Sequence, residues 1–178
     1  MYCGTNKTAM ESQRQISRTL MELISTKPYA QVTVTELCRT ARISRQTFYS
    51  LFTSTENVIV YTIRSRYETH PVQSAEVPCG DTGWLCREYA LYITRNRDFI
   101  RLLVNNNIIY LLHDSIFSSL VECSCFLPGG SEASRRYAAD FLAGGITGVA
   151  RSYALDGCHG DAVQLEQLLS RFLHGHFA

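Results

Sequence analysis

The amino-acid sequence predicts an all-α fold of about nine helices. Apolar residues recur every three or four positions over most of the chain, and no stretch alternates apolar and polar residues as a strand would. Apolar residues make up 46% of the 178 residues, enough for a core, and the 19% of charged residues argues against a disordered chain. The longest nearly continuous apolar stretch, residues 141–150, is too short to span a membrane.

The first helix is predicted from about Lys7 to Ser25, with Ile16 and Leu20 on its apolar face. It ends before Pro28, because proline disfavours a helical conformation at the residue before it and has no backbone N–H to donate.

Three helix-start signals follow. Thr33-Val-Thr-Glu36 and Thr53-Ser-Thr-Glu56 are capping boxes, in which the threonine hydroxyl accepts from a backbone N–H three residues on and the glutamate reaches back. Between them, Ser44 is a favourable N-cap. Two short helices joined by three residues are typical of a helix-turn-helix, here followed by a linking helix. The predicted helices are Val34–Ala41, Arg45–Leu51 and about 54–69.

The second half carries five further helical patterns, separated from the first by breaker-rich segments around Pro71 and Pro78. We therefore predict a DNA-binding domain over residues 1–66 and an effector-binding and dimerisation domain over residues 67–178. The five predicted helices are Thr82–Arg95, Arg97–Val104, Ile108–Cys125, Glu132–Leu155 and Asp161–His174.

The formal net charge of +1 conceals an uneven distribution of charge. Through Arg66 there are nine basic and four acidic residues, a net charge of +5, whereas the remainder has eight basic and twelve acidic residues, a net charge of −4. Such asymmetry is typical of a nucleic-acid-binding module joined to a different domain, although chance clustering of solvated side chains would also produce it.

Residues 32–52 resemble the DNA-binding domain of the TetR/AcrR family of transcriptional regulators. The second half is also similar, through residues 96–103 and 141–148, to a C-terminal regulatory domain of some members. The residues that carry the N-terminal resemblance are Thr33, Glu36, Ile43-Ser44, Thr47-Phe48-Tyr49 and Phe52, continued by Glu56 and Val58.

The resemblance implies that the helix from Arg45 enters the major groove of double-stranded DNA at a palindromic operator. Arg45 can donate two hydrogen bonds to guanine, Gln46 can pair with an adenine edge, and Thr47 is a further base contact. An ordinary solvated first turn is the alternative for Arg45 and Gln46. Phe48 and Phe52 are expected in the core. The implied phosphate contacts are Thr33, Thr35, Tyr49 and Arg42.

Two positions depart from the family pattern. Thr55 stands where the family usually has a basic residue before the acid of the linking helix, which implies a missing or weaker phosphate contact. Arg42 stands where the turn often has glycine. It is expected either to adopt a less favourable backbone conformation, at a cost of about 1 kcal/mol, or to add a contact to the DNA backbone.

The family resemblance also implies a two-fold homodimer formed through the last two helices. Glycine inside a helix costs about 1 kcal/mol relative to alanine, and close approach of two helices would compensate. Packing of the glycines inside one subunit is the alternative. The predicted interface residues are Gly144, Gly145, Gly148, Val149, Tyr153, Leu165, Leu168, Leu169 and Phe172.

Thirteen of the nineteen aromatic residues follow Arg66, and an apolar aromatic pocket would suit a small-molecule effector. Aromatic residues at helical spacing are equally typical of a core. The predicted pocket residues are Trp84, Tyr89, Tyr92, Phe99, Tyr110, Phe117 and Phe141.

No enzymatic motif is evident: the sequence has no phosphate-binding glycine loop, His-Glu zinc motif or nucleophile elbow, and we predict neither enzyme activity nor a cofactor or metal. The N-terminus lacks a signal pattern, so a cytoplasmic location is expected. We expect an effector-released repressor. The alternatives are a co-activator or partner-dependent regulator of the same fold, or a thiol or metal sensor built on residues such as Cys86, His113, Cys123-Ser-Cys125, Cys158-His159, His174 and His176.

Overall fold

The computed structural model describes residues 6–68, 82–123, 126 and 130–175. Within these residues the secondary structure is nine α-helices and one short 3₁₀ turn, Tyr29–Gln31, with no strand, so the predicted all-α fold is confirmed. The helices are α1 (Lys7–Thr26), α2 (Val34–Thr40), α3 (Arg45–Leu51), α4 (Thr55–Glu68), α5 (Thr82–Arg95), α6 (Arg97–Asn105), α7 (Tyr110–Glu122), α8 (Glu132–Leu155) and α9 (Ala162–Leu173).

The predicted bounds are met by α3, α5 and α8, and the other ends differ by one to three residues. The largest difference is at α7, which was predicted from Ile108 to Cys125. Its start is displaced because Asn107 and Ile108 belong to the turn that closes α6, where Ile108 N–H donates to Leu103 at 3.0 Å. Cys125, His176 and the breaker segments around Pro71 and Pro78 lie outside the described residues.

The chain forms two compact units, Met1–Arg66 and Tyr67–Ala178. In the first unit α1 packs against α2 and α3. Phe48 and Phe52 are buried in its core, as predicted, together with apolar residues of α1, α2 and α4. A hydrogen bond of 2.7 Å between the buried hydroxyls of Ser17 and Thr62 joins α1 to α4.

In the second unit α9 packs against α5, and α6 and α7 pack against α8. Its core is aliphatic around Ile93, Leu103, Leu112 and Ile146, all at most 2% exposed. Among the helices that the structure describes, none is long and apolar enough to cross a membrane.

The caps decide where the short helices of the first unit begin. Thr33 and Ser44 are the N-caps of α2 and α3, as predicted, and accept from the backbone N–H groups of Glu36 and Thr47 at 3.2 and 2.9 Å. The capping box predicted at Thr53 is wrong. Ser54 is the residue whose hydroxyl accepts from the Asn57 N–H, and the hydroxyl of Thr53 donates to the Asn57 side chain instead.

Candidate nucleic-acid interface

The two faces of α3 differ in chemistry. Phe48 and Leu51 are buried against the first unit, which fixes the rotation of the helix. The outward face exposes Arg45 and Gln46 in the first turn and Tyr49 one turn later, with 51% of Tyr49 accessible. A short helix with a buried apolar face and an exposed row of donors is suited to insertion into the major groove of DNA.

Thr47 is less available than the other predicted base contacts. Its hydroxyl lies 2.8 Å from the Ser44 hydroxyl, and its backbone N–H donates to the same Ser44 oxygen. The side chain is half-buried. It therefore belongs to the cap that starts α3, which leaves Arg45 and Gln46 as the exposed base-contact candidates of the first turn.

Arg42 occupies the position that ends α2. Its φ of 54° places it in the left-handed region, so the less favourable backbone conformation predicted from the sequence is confirmed. The next residue, Ile43, donates its N–H to Cys38 at 3.0 Å, and Arg42 donates to Arg39 at 3.2 Å, which is a Schellman termination. Glycine or asparagine is usual at such a position.

Three arginines spaced three residues apart surround the helix-turn-helix connection. Arg39, Arg42 and Arg45 are exposed, and within the described ranges none of them forms an ion pair. Arg39 was not predicted as a contact, although its spacing from Arg42 and Arg45 is a signal that the sequence contains. The cluster supplies exposed positive charge beside the outward face of α3.

The acid of this segment, Glu36, is neutralised from outside it. Its carboxylate accepts a hydrogen bond from Lys27 Nζ instead of reaching back to Thr33, and both side chains are about one quarter exposed. This hydrogen bond, together with the charges of Lys27 and Arg39, holds the pKa of Glu36 below its ordinary value. The Glu36 charge is therefore compensated, and the three arginines retain their net positive field.

Thr33 and Thr35, predicted to contact phosphates, are both exposed at the start of α2. The Thr33 hydroxyl accepts the capping hydrogen bond, and its own hydrogen is left to donate. Thr55, where the family usually has a basic residue, lies 2.9 Å from the half-buried Tyr29 hydroxyl. Burial raises the pKa of Tyr29, so this hydroxyl pair is neutral at physiological pH.

Residues 16–61, which include all of α2 and α3, match the sequence profile of the bacterial regulatory proteins of the tetR family. The first unit is a TetR-family DNA-binding domain. The chain is accordingly a DNA-binding transcriptional regulator. It has no significant match among curated protein sequences.

Two solved structures show similarity over nearly the whole chain. Lin0861 from Listeria innocua is 16% identical, with a TM-score of 0.79 over 97% of this chain and 96% of its own. The dihydroxyacetone kinase operon activator DhaS is 18% identical, with a TM-score of 0.49 over 92% of both chains. The similarity to Lin0861 shows that the TetR-family domain and the second unit together have a fold that occurs in another protein.

In the second unit the glycines of α8 face outward. Beyond the backbone of α8 itself, no described atom lies within 4 Å of the place where a Cβ would be at Gly144, Gly145 or Gly148. Residues on the same helical face are also exposed, namely Tyr137 (79%), Phe141 (69%) and Leu155 (60%). We call Tyr137, Phe141, Gly144, Gly145, Gly148 and Leu155 the α8 stripe.

The other predicted interface residues divide into two groups. Tyr153, Leu165 and Leu169 are buried within the second unit itself, and the Tyr153 hydroxyl donates to the Gly160 carbonyl at 3.3 Å. Val149, Leu168 and Phe172 are half-buried. Tyr137 and Leu155 were not predicted, although their spacing of three and four residues from the rest of the stripe would have identified them.

The predicted pocket residues are not all together. Phe141 belongs to the outward α8 stripe, so its placement in an enclosed pocket is corrected, and Tyr110 is 45% exposed. Phe117 is half-buried at the surface, with its ring parallel to that of His113 and the Arg136 guanidinium 5.7 Å from its centre. Trp84 is half-buried.

The remaining pocket candidates, Tyr89, Tyr92 and Phe99, are buried. The Tyr67 ring lies 6.2 Å from that of Tyr89 and 5.7 Å from that of Tyr92, measured between centroids. Burial raises the pKa of Tyr67 to about 12 and also raises that of Tyr89. These phenol groups are therefore neutral hydrogen-bonding groups inside an aromatic cluster.

The cysteines and histidines considered for a sensor are dispersed. Cys86 and Cys158 are buried, and Cys123 is half-buried. In the part of the chain that the structure describes, no three His, Cys, Asp or Glu side chains are placed to hold a metal ion. His113 instead lies between two carboxylates, with Nδ1 3.1 Å from Asp114 and Nε2 3.2 Å from Asp140.

Proposed function

We propose that the chain is a homodimeric repressor that binds a palindromic operator through α3 and is released by a small-molecule effector. The observation that carries the proposal is the outward face of α3. There Arg45, Gln46 and Tyr49 are exposed beside arginines that have no ion-pair partner among the described residues.

The contacts divide by chemistry. Arg45 and Gln46 have the donor and acceptor patterns that pair with guanine and adenine edges in the major groove. Arg39, Arg42 and the hydroxyls of Thr33, Thr35 and Tyr49 suit phosphates, which position the protein without specifying sequence. Thr47 contributes to this surface mainly by fixing the first turn of α3 through Ser44.

The α8 stripe supports the homodimer. It exposes two aromatic rings and a leucine around glycines, and exposed apolar patches of this kind commonly mark protein–protein contacts. The glycines would allow the α8 helices of two subunits to approach closely. A two-fold dimer presents two copies of α3, and dimeric helix-turn-helix proteins bind half-sites about 34 Å apart.

The buried tyrosines of the second unit support an effector site. Tyr67, Tyr89 and Tyr92 combine apolar ring faces with neutral hydroxyls, a combination that ligand-binding sites use to fix orientation. An effector that binds one arrangement of this unit better than another would shift the population of DNA-binding dimers.

The experiment is a gel shift of the full chain on the intergenic DNA upstream of its own gene, at low salt. A specific shift supports the proposal, and Arg45→Ala should reduce it roughly 5- to 100-fold by removing a bidentate base contact. Ser50→Ala is the matched control on the same exposed face. Absence of any specific shift would exclude direct operator binding.

A further inference from the structure

Arg45 and Tyr49 are placed one turn apart on the outward face of α3, and their side chains are in contact. The Arg45 guanidinium carbon lies 6.0 Å from the centroid of the Tyr49 ring, over its face. This is within the range in which an arginine is attracted by the negative face of an aromatic ring. Both residues are exposed, so the contact lies at the surface proposed to meet DNA.

The Tyr49 ring is itself held from below. Its edge meets the ring of Phe48 with centroids 5.3 Å apart and planes at 86°, a T-shaped arrangement. Phe48 is fully buried and packs in turn on Phe52 at 6.0 Å. A continuous series of aromatic contacts therefore connects the core of the first unit to the Arg45 guanidinium.

We propose that the Tyr49 ring is a positioning residue for Arg45, and that it sets sequence preference at a base pair that Tyr49 does not contact. The inference rests on the proposed function, in which α3 contacts base edges. Its ring role is separate from the phosphate contact proposed for the Tyr49 hydroxyl.

The physical reason is preorganisation. A bidentate contact with guanine requires the planar guanidinium in one orientation, whereas an exposed arginine samples many rotamers. Stacking on a ring anchored to the core reduces that sampling before DNA arrives, so less entropy is lost on binding. A wrong base gains nothing from a correctly oriented guanidinium, so the benefit is specific to the preferred base.

The test is selection of duplexes from a randomised pool by the full chain, followed by affinity measurements on the selected sequence and its single-base variants. Tyr49→Phe keeps the ring and should weaken binding to all duplexes equally, with the base preferences unchanged. Tyr49→Leu removes the ring and should lower the preference at the Arg45 base pair about 2- to 5-fold, as loss of an exposed cation–π contact predicts. The preference at the Gln46 base pair should be retained.

Two comparisons complete the experiment. Arg45→Ala should abolish the preference at the same base pair, and adding Tyr49→Leu to Arg45→Ala should cause no further loss there, since nothing remains to be positioned. Melting curves of the Tyr49 variants show that each is folded, and Tyr49→Phe retains every ring contact if Tyr49→Leu melts early.

The outcomes separate the two proposals. A wild-type motif that Tyr49→Leu leaves unchanged overturns this inference alone, as does a loss of preference at the Arg45 base pair that is equal for Tyr49→Phe and Tyr49→Leu. Absence of any motif with the wild-type chain overturns the proposed function, and this inference with it.

Discussion

The outward faces of α3 and α8 are opposite in chemistry. On α3 the exposed residues are an arginine, a glutamine and a tyrosine, with exposed arginines nearby that have no ion-pair partner in the described ranges. On α8 they are aromatic residues, a leucine and glycines. Both helices bury their other face in the core of their own unit.

This difference shows what each unit lacks. An exposed basic face attracts a polyanion, and the field of the first unit, with net charge +5, is suited to phosphates. An exposed apolar face gains free energy when it is covered by another apolar surface. The comparison leads to the view that α3 is completed by DNA and α8 by a second subunit.

The largest effect is expected at Gly148. Because there is open space around it within one subunit, Gly148→Leu should stabilise the isolated subunit by roughly 0.5–1 kcal/mol through higher helix propensity. In a two-fold interface the added side chain is introduced twice, so overpacking should raise the dimer dissociation constant at least about 30-fold. Sedimentation equilibrium and thermal unfolding measure the two effects, and DNA affinity should fall with the dimer.

Gly148→Ala is the graded control and should affect the dimer less. Asn105→Leu, on the exposed surface of α6, tests whether any large apolar substitution has the same result. A Gly148→Leu chain that remains a dimer of wild-type affinity would show that the α8 stripe is not the interface.

Much of the first unit could be predicted because its signals are local. The N-caps Thr33 and Ser44, the bounds of α3 and the burial of Phe48 and Phe52 all follow from spacing within a few residues. The error at Thr53 has the same scale: Ser54 is an equally good N-cap, and a shift of one residue exchanges their roles.

The next effect concerns Arg42, which would separate backbone strain from charge. Glycine adopts a φ of 54° without the side-chain penalty, so Arg42→Gly should stabilise the chain by roughly 0.5–1 kcal/mol after its larger unfolded-state entropy is subtracted. Arg42→Ala keeps the penalty and should change stability by less than about 0.5 kcal/mol.

Both Arg42 variants remove one charge and should weaken DNA binding to the same extent. The slope of log affinity against log salt concentration should decrease by about 0.9 if one phosphate contact is lost. An unchanged salt slope would mean that Arg42 contacts no phosphate.

The second unit was harder to predict because the inward and outward faces of its helices are both rich in apolar residues. Phe141 and Tyr89 are both aromatic residues at helical spacing, yet one is 69% exposed and the other buried. Which apolar face of α8 is covered by α6 and α7 is decided by contacts distant in sequence, and composition contains no information about that choice.

The smallest effect is expected for the Lys27–Glu36 ion pair. The pKa of Glu36 is lowered from 4.5 in the folded chain, so its stabilising contribution is present above that pH and is lost as the pH falls through the folded-state value. Glu36→Gln should lower Tm by roughly 1–4 °C at pH 7 and by less as the pH falls below 4.5.

Lys27→Gln should reproduce this pH dependence, because it removes the other partner of the same pair. Glu22→Gln, at an exposed position of α1, is the matched control. Calorimetry between pH 3 and pH 7, at about one-unit steps, follows the difference. A wild-type advantage that persisted unchanged at the acid end would contradict the assigned role of the pair.

The most direct measurement of the central claim is the sequence that the wild-type chain selects from a randomised duplex pool. If α3 contacts bases and the α8 stripe pairs two subunits, the selected sites should contain two inverted half-sites with centres about one helical turn, roughly 34 Å, apart or a multiple of it. A single half-site without a partner would contradict the dimer, and no enriched sequence even at low salt would contradict base recognition by α3.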